Sequence, residues 1–150
     1  MSDIKTRLYN SCLEYADERI LNATEAIKAA RDSSTEDTKS SAGDKYETGR
    51  AMMQQDIDRQ TLQIGIAQKL KGLLERIEPD KTTDTVQNGS LVYTNQGIFY
   101  IAISVGLKEM DNQNYYIISA ISPIGSQLLK KTTGDKFSFN GKQYEIQSIE

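Results

Sequence analysis

Two carboxylates three residues apart, Asp44 and Glu47, follow a glycine in the run Gly43-Asp44-Lys45-Tyr46-Glu47. On a helix, side chains at that spacing are neighbours, with Cβ atoms roughly 5–6 Å apart. Carboxylates of ordinary pKa, about 4, are both ionised at neutral pH. Such a pair can converge on one hard cation such as magnesium, which takes oxygen ligands and keeps several waters. Glu36 and Asp37 add to the negative field, and Lys39, Lys45 and Arg50 offset it. The same acids also suit the first turn of any helix, because the macrodipole favours negative charge there. Spacing alone therefore leaves two readings open, a working pair and a solvated helix start.

A second constellation lies in the last third of the chain: Ser122-Pro123-Ile124-Gly125-Ser126-Gln127-Leu128-Leu129, then Lys130-Lys131 and Gly134-Asp135. Read locally, Ser122 caps a short helix and Pro123 takes its first position, where a missing N–H costs nothing. Gly134-Asp135 reads as a turn, and Lys130-Lys131 as a solvated pair.

Composition narrows the chemistry. The 150 residues contain no histidine, so proton transfer falls to a carboxylate, a lysine, a tyrosine or a partner. A single cysteine, Cys12, makes no internal disulfide, and without a Cys/His cluster a zinc site is not expected. A formal net charge of -3 argues against a dedicated nucleic-acid binder with a basic face. No apolar stretch approaches the roughly 20 residues that span a bilayer. The opening Met1-Ser2-Asp3-Ile4-Lys5 lacks the apolar core of a signal peptide. The expectation is a cytoplasmic monomer with no membrane association.

The elements that would position these residues follow from periodicity. Tyr9, Leu13, Ala16, Ile20, Ala23, Ile27 and Ala30 step by four and three, the seam of a coiled coil. Ser2 can cap that helix. The polar stretch from Asp32 to Gly43 lacks apolar periodicity and reads as a fraying end and a turn. Ser41 with Asp44 three residues on resembles a capping box, so a second helix starts near there. Met53, Ile57, Ile64, Ala67 and Leu74 form one row on it, and Leu62, Ile66, Leu70, Leu73 and Ile77 an adjacent one, until Pro79 ends the helix. About 30 helical residues give a rod roughly 45 Å long. An apolar content of 37% suits a chain of which half is an exposed hairpin with a narrow seam.

Beyond Pro79 the period becomes alternating. Residues 89–94 and 97–104 read as strands joined by a tight turn at Asn95-Gln96-Gly97, and 114–120 as a third strand. Asn140-Gly141 is a strong hairpin signal between Phe137-Ser138-Phe139 and Gln143-Tyr144-Glu145-Ile146. The fold class expected is α+β. An antiparallel coiled-coil hairpin occupies 1–78, with an acidic tip near 32–47. A small, twisted antiparallel sheet with one short helix occupies 84–150.

Over nearly its full length the chain resembles the GreA/GreB family of bacterial transcription elongation factors. The resemblance is most specific in the second half, at Ser122-Pro123-Ile124, Leu128-Leu129, Lys131, Gly134-Asp135, Gly141 and Tyr144-Glu145-Ile146, which match that family's C-terminal signature; Gly43-Asp44-x-x-Glu47 matches the spacing of the family's tip carboxylates. It implies an FKBP-like C-terminal domain and a coiled coil that enters the secondary channel of RNA polymerase. Asp44 and Glu47 would then help hold a catalytic magnesium that belongs to the polymerase, the chain having no cofactor of its own. The resemblance implies that they would also orient a water to cut backtracked RNA, by the two-metal logic in which one ion supports the attacking and the other the leaving oxygen. The nascent RNA 3′ end would be an indirect partner, and the chain would be no enzyme alone. Ser122, Pro123 and Ile124 are implied at the polymerase contact.

Two departures from the family pattern stand out. Its tip continues Asn-x-x-Tyr where this chain has Thr48-Gly49-Arg50-Ala51, and its glycine after the Leu-Leu pair is Lys130 here. Two further readings are a non-cleaving channel regulator or inhibitor and, from another class, an FKBP-like adaptor or chaperone module.

Overall fold

The computed structural model describes residues 3–40 and 44–150, and the side chains of 3–33 and 48–150. Helix α1 spans Asp3–Ser40 and α2 spans Asp44–Glu75. Six strands follow: β1 Leu91–Thr94, β2 Gly97–Ala102, β3 Gly106–Met110, β4 Gln113–Ser119, β5 Lys136–Phe139 and β6 Lys142–Ile149. Helix α3, Pro123–Leu128, separates β4 from β5. The fold is α+β, a long helical hairpin followed by a six-stranded sheet with one short helix. Among the described residues no helix is long and apolar enough to cross a membrane.

Helix α1 does not stop at the polar stretch after Asp32, where a fraying end was expected; it continues to Ser40. No glycine or proline interrupts residues 3–40, and serine, threonine and charged residues cost a helix only tenths of a kcal/mol each. The expected caps Ser2 and Ser41 lie outside the described residues. Helix α2 begins at Asp44 and ends four residues before Pro79, through tightened bonds from Arg76 N–H to Leu73 O and from Ile77 N–H to Leu74 O.

Contacts gather the chain into two compact units. One is Ala16–Lys71. Within it Ala16, Ala23, Ile57 and Ala67 are buried and the two helices run antiparallel. The Lys71 ammonium meets Asp17 at 2.9 Å, and Arg19 donates to Gln63 Oε1 at 2.9 Å. Of the two apolar rows on α2, the first packs at Ile57 and Ala67. In the second, Leu62, Ile66 and Leu73 are exposed, Leu70 is half-buried, and Ile77, just beyond the helix, is buried.

The other unit joins the start of α1, through Tyr15, with Gly72–Glu150. Its sheet has the order β3-β4-β2-β1-β6-β5. All neighbours are antiparallel except β2 and β4, which run parallel with Phe99 opposite Tyr116 and Ile101 opposite Ile118. The expected wholly antiparallel sheet is thus corrected to a mixed one. The reason is β3, a strand that alternation did not reveal. The chain leaves β2, forms the outer strand β3 and turns back, so that β4 inserts between β3 and β2. That turn is Asp111-Asn112, both residues at positive φ (53° and 64°), between paired Met110 and Gln113. Asn140 and Gly141 make the same kind of turn, with φ of 50° and 77°.

Alternation along β2 sends side chains to opposite faces. Phe99 and Ile101 join Val86, Val92, Leu128 and Ile146 in one core. On its margin Phe99 stacks on Tyr116 with centroids 5.5 Å apart, and Phe137 on Tyr144 at 5.0 Å. Tyr100, on the opposite face, is wholly buried beside Cys12 and Tyr9 of α1. The Ile103 backbone hydrogen-bonds the Cys12 sulfur. Lys5, Leu8 and Cys12 thus form a second buried stripe on α1, distinct from the expected seam. Lys5, a residue only 3% exposed, donates from its ammonium to Lys81 O at 2.6 Å, and Tyr9 Oη donates to Leu74 O at 2.8 Å.

Candidate functional site

The Ser122 turn is built as its sequence requires. Ser122 has extended backbone, with φ -67° and ψ 159°, and Pro123 follows at the start of α3. The Ser122 hydroxyl accepts from Gly125 N–H at 3.1 Å and donates to Ser119 O at 2.6 Å. One side chain thereby caps the helix and ties it to the end of β4. The tie brings α3 so close to the strand that only glycine fits at 125. A Cβ there would stand 2.0 Å from Ser119 O and 2.8 Å from Ser122 Oγ.

This construction fixes what the turn presents. Ile124 is half-buried and packs against the core that includes Leu128 and Phe99. Pro123 is exposed, and Ile121 just before the cap is 92% exposed. Ser122 itself is half-buried, and its hydroxyl is engaged internally. The surface that the turn exposes is therefore an apolar one of Ile121 and Pro123. Ser122 and Ile124 hold it from behind. Sequence reasoning missed Ile121; a bare isoleucine before a Ser-Pro cap is the signal that would have found it.

The turn after α3 is equally determined. Lys130 adopts a left-handed backbone, φ 70°. It is held there by its N–H on Val86 O and by Val86 N–H on Lys131 O, both 2.8 Å. The Lys131 ammonium lies 5.4 Å from the Phe137 ring centroid, a cation–π contact rather than simple solvation. Gly134, φ 92°, and Asp135 form the expected turn, closed by the Asp135 carboxylate accepting from Thr132 N–H at 2.8 Å.

The backbone of Asp44 and Glu47 lies in the first turn of α2, so the two positions fall on one helical face. Their side chains and Gly43 lie outside the described residues, as do the side chains of Glu36 and Asp37. The helix and the turn thus place the two predicted groups in different elements: the acidic pair opens α2, and Ser122–Ile124 opens α3.

Burial governs the protein's interior ionisable groups. Burial pushes the Cys12 thiol up to about 12, the Ile103 hydrogen bond opposing only in part, so no thiolate nucleophile is available near neutrality. Burial likewise raises Tyr100. It lowers Lys5, against the pull of Glu150 and Asp80. No protein-family model, no curated protein and no solved structure matches the chain.

Proposed function

We propose that this chain binds bacterial RNA polymerase through the secondary channel and stimulates cleavage of backtracked RNA, as its resemblance to the GreA/GreB factors implies. The observation that carries the reading is the position of Asp44 and Glu47. They open the second helix of an antiparallel hairpin, one helical turn apart and on one face. In this reading the chain's own part is to bring two carboxylates to a metal site that it does not itself complete. Magnesium shared with the polymerase supplies Lewis-acid activation when bound. The apolar Ile121–Pro123 turn, backed by Ser122 and Ile124, supports a docking role for the C-terminal sheet.

The test is a stalled, backtracked elongation complex made with the cognate polymerase. Wild-type protein is expected to release short 3′ fragments, and Asp44→Ala with Glu47→Ala to bind but release none. Binding by the wild type with no product overturns the cleavage reading.

A second reading, a channel regulator that does not cleave, is favoured by Thr48-Gly49-Arg50-Ala51 in place of the family's Asn-x-x-Tyr. It predicts altered initiation or pausing that survives the double substitution.

A further inference from the structure

A cavity of about 450 Å³ lies between the end of α2, the loop after it and the turn after α3. Arg76, Lys81 and Lys130 line it, with Glu78 as the one carboxylate among its lining residues. Three positive charges against one is a local excess in a chain whose formal net charge is -3. Among the described residues none of these three cations makes an ion pair. Like charges gathered around a concave surface repel one another unless an anion enters, and such a surface concentrates anions.

The cavity is preorganised. Gln87 N–H donates to Ser90 Oγ at 2.9 Å, and Ser90 N–H returns a bond to Gln87 O at 3.0 Å. Gly89, φ 92°, lies so close to Ile77 that a Cβ would meet its Cγ2 at 2.7 Å. Both bonds and close packing fix the loop that forms one wall. Lys130 is the most telling residue. Its left-handed backbone is one that glycine adopts without cost and lysine does not, yet a lysine stands there and lines the cavity.

We propose that this cavity binds a small oligophosphate anion, held by Arg76, Lys81 and Lys130. Its volume falls in the range of small-molecule sites, about 300–1,000 Å³. A guanidinium matches phosphate oxygens two at a time, while two ammonium groups act as point charges along the chain. The amides of Gln87 and Asn88 add polar partners at the wall. Free oligophosphate and a nucleoside triphosphate share this chemistry. The site uses no residue of the Asp44–Glu47 pair or of the Ser122 turn, and does not depend on the function proposed above.

Calorimetric titration of the full chain at low salt tests it, with tripolyphosphate, ATP and adenosine as probes. Saturable binding of tripolyphosphate and ATP is expected, weakening as salt is raised, with adenosine silent. ATP binding tighter than tripolyphosphate identifies the nucleotide as the ligand; equal binding identifies the phosphate chain alone. Arg76→Gln with Lys81→Gln, both exposed positions, is expected to weaken binding at least tenfold. Lys130→Gly is expected to weaken it several-fold while the melting temperature rises by about 3 °C, which separates lost binding from lost folding. If Lys130→Gly does not fold, the Arg76/Lys81 variant decides. Absence of saturable binding into the millimolar range, adenosine binding equal to ATP, or unchanged affinity in the Arg76/Lys81 variant overturns the proposal.

Discussion

Gly125 lies against the carbonyl of Ser119 so closely that a methyl group on its α-carbon would sit 2.0 Å from that oxygen. The oxygen is backbone, at the end of β4, and also accepts from the Ser122 hydroxyl. Relief therefore requires moving α3 off the sheet, together with the core residue Leu128.

Gly125→Ala is accordingly expected to destabilise the protein by about 3 kcal/mol, the upper part of the range for overpacking. Urea denaturation would show a lower midpoint. A midpoint equal to wild type would mean that α3 is free to shift.

Helix α2 carries the opposite case. Gly65 lies within the helix, and a Cβ there would meet nothing within 4 Å. Gly65→Ala is expected to stabilise by about 0.5–1 kcal/mol through helix propensity and a less disordered unfolded chain. Thermal melting checks it, and a lower melting temperature would contradict it.

Tyr100 is fully buried, and its hydroxyl finds no hydrogen-bond partner among the described residues. An unpaired buried hydroxyl costs about 1–3 kcal/mol, so Tyr100→Phe is expected to stabilise by about 1 kcal/mol. Loss of stability in that variant would show that the hydroxyl has a partner.

Alkaline pH should unfold the protein from a defined point. Burial raises Cys12 from 9.0 to about 12, and Tyr93, through burial and then Glu150, from 10.0 to about 12; Tyr100 is raised as well. The unfolded chain releases these protons first, so it binds fewer of them than the folded chain in that window. Stability from these groups is therefore whole below about pH 9 and falls from there toward pH 12. Lys5, lowered by burial, acts in the opposite sense below its unfolded value of 10.5. Denaturation midpoints measured between pH 8 and 11.5 should decline, and Tyr100→Phe should flatten the part of the decline above pH 10. A flat profile would mean that these groups are not shielded.

The exposed apolar surface of the Ser122 turn is also testable apart from catalysis. Ile121→Asp places a charge on a residue that is 92% exposed, so the fold is expected to keep its stability within about 0.5 kcal/mol. Under the function proposed here its affinity for polymerase falls, read by pull-down with the cognate enzyme. Undiminished capture would remove the turn from the interface.

What the sequence disclosed depends on how locally each feature is encoded. Asn140-Gly141 forms its turn because both residues tolerate positive φ, and Ser122-Pro123 starts its helix through its own side chain and ring. Strand β3 escaped notice because Gly106–Met110 is exposed over four of its five residues and shows no buried alternation. The parallel pairing of β2 with β4 is a matter of which strand inserts where, and period-two patterns carry no such information. Leu8 and Cys12 were overlooked because the strongest heptad ran through Tyr9, Leu13 and Ala16. Lys130 could not announce its left-handed backbone, since a lysine there contradicts the usual rule. The acidic pair was legible as spacing, but its chemistry rests on resemblance.

Cys12 is the chain's single cysteine, and it is sealed between the start of α1 and the sheet. A thiol-reactive dye can reach it only when that joint parts. The rate of labelling therefore acts as a built-in clock for the breathing of one interface, with no engineered probe and no second sulfhydryl to confuse the signal.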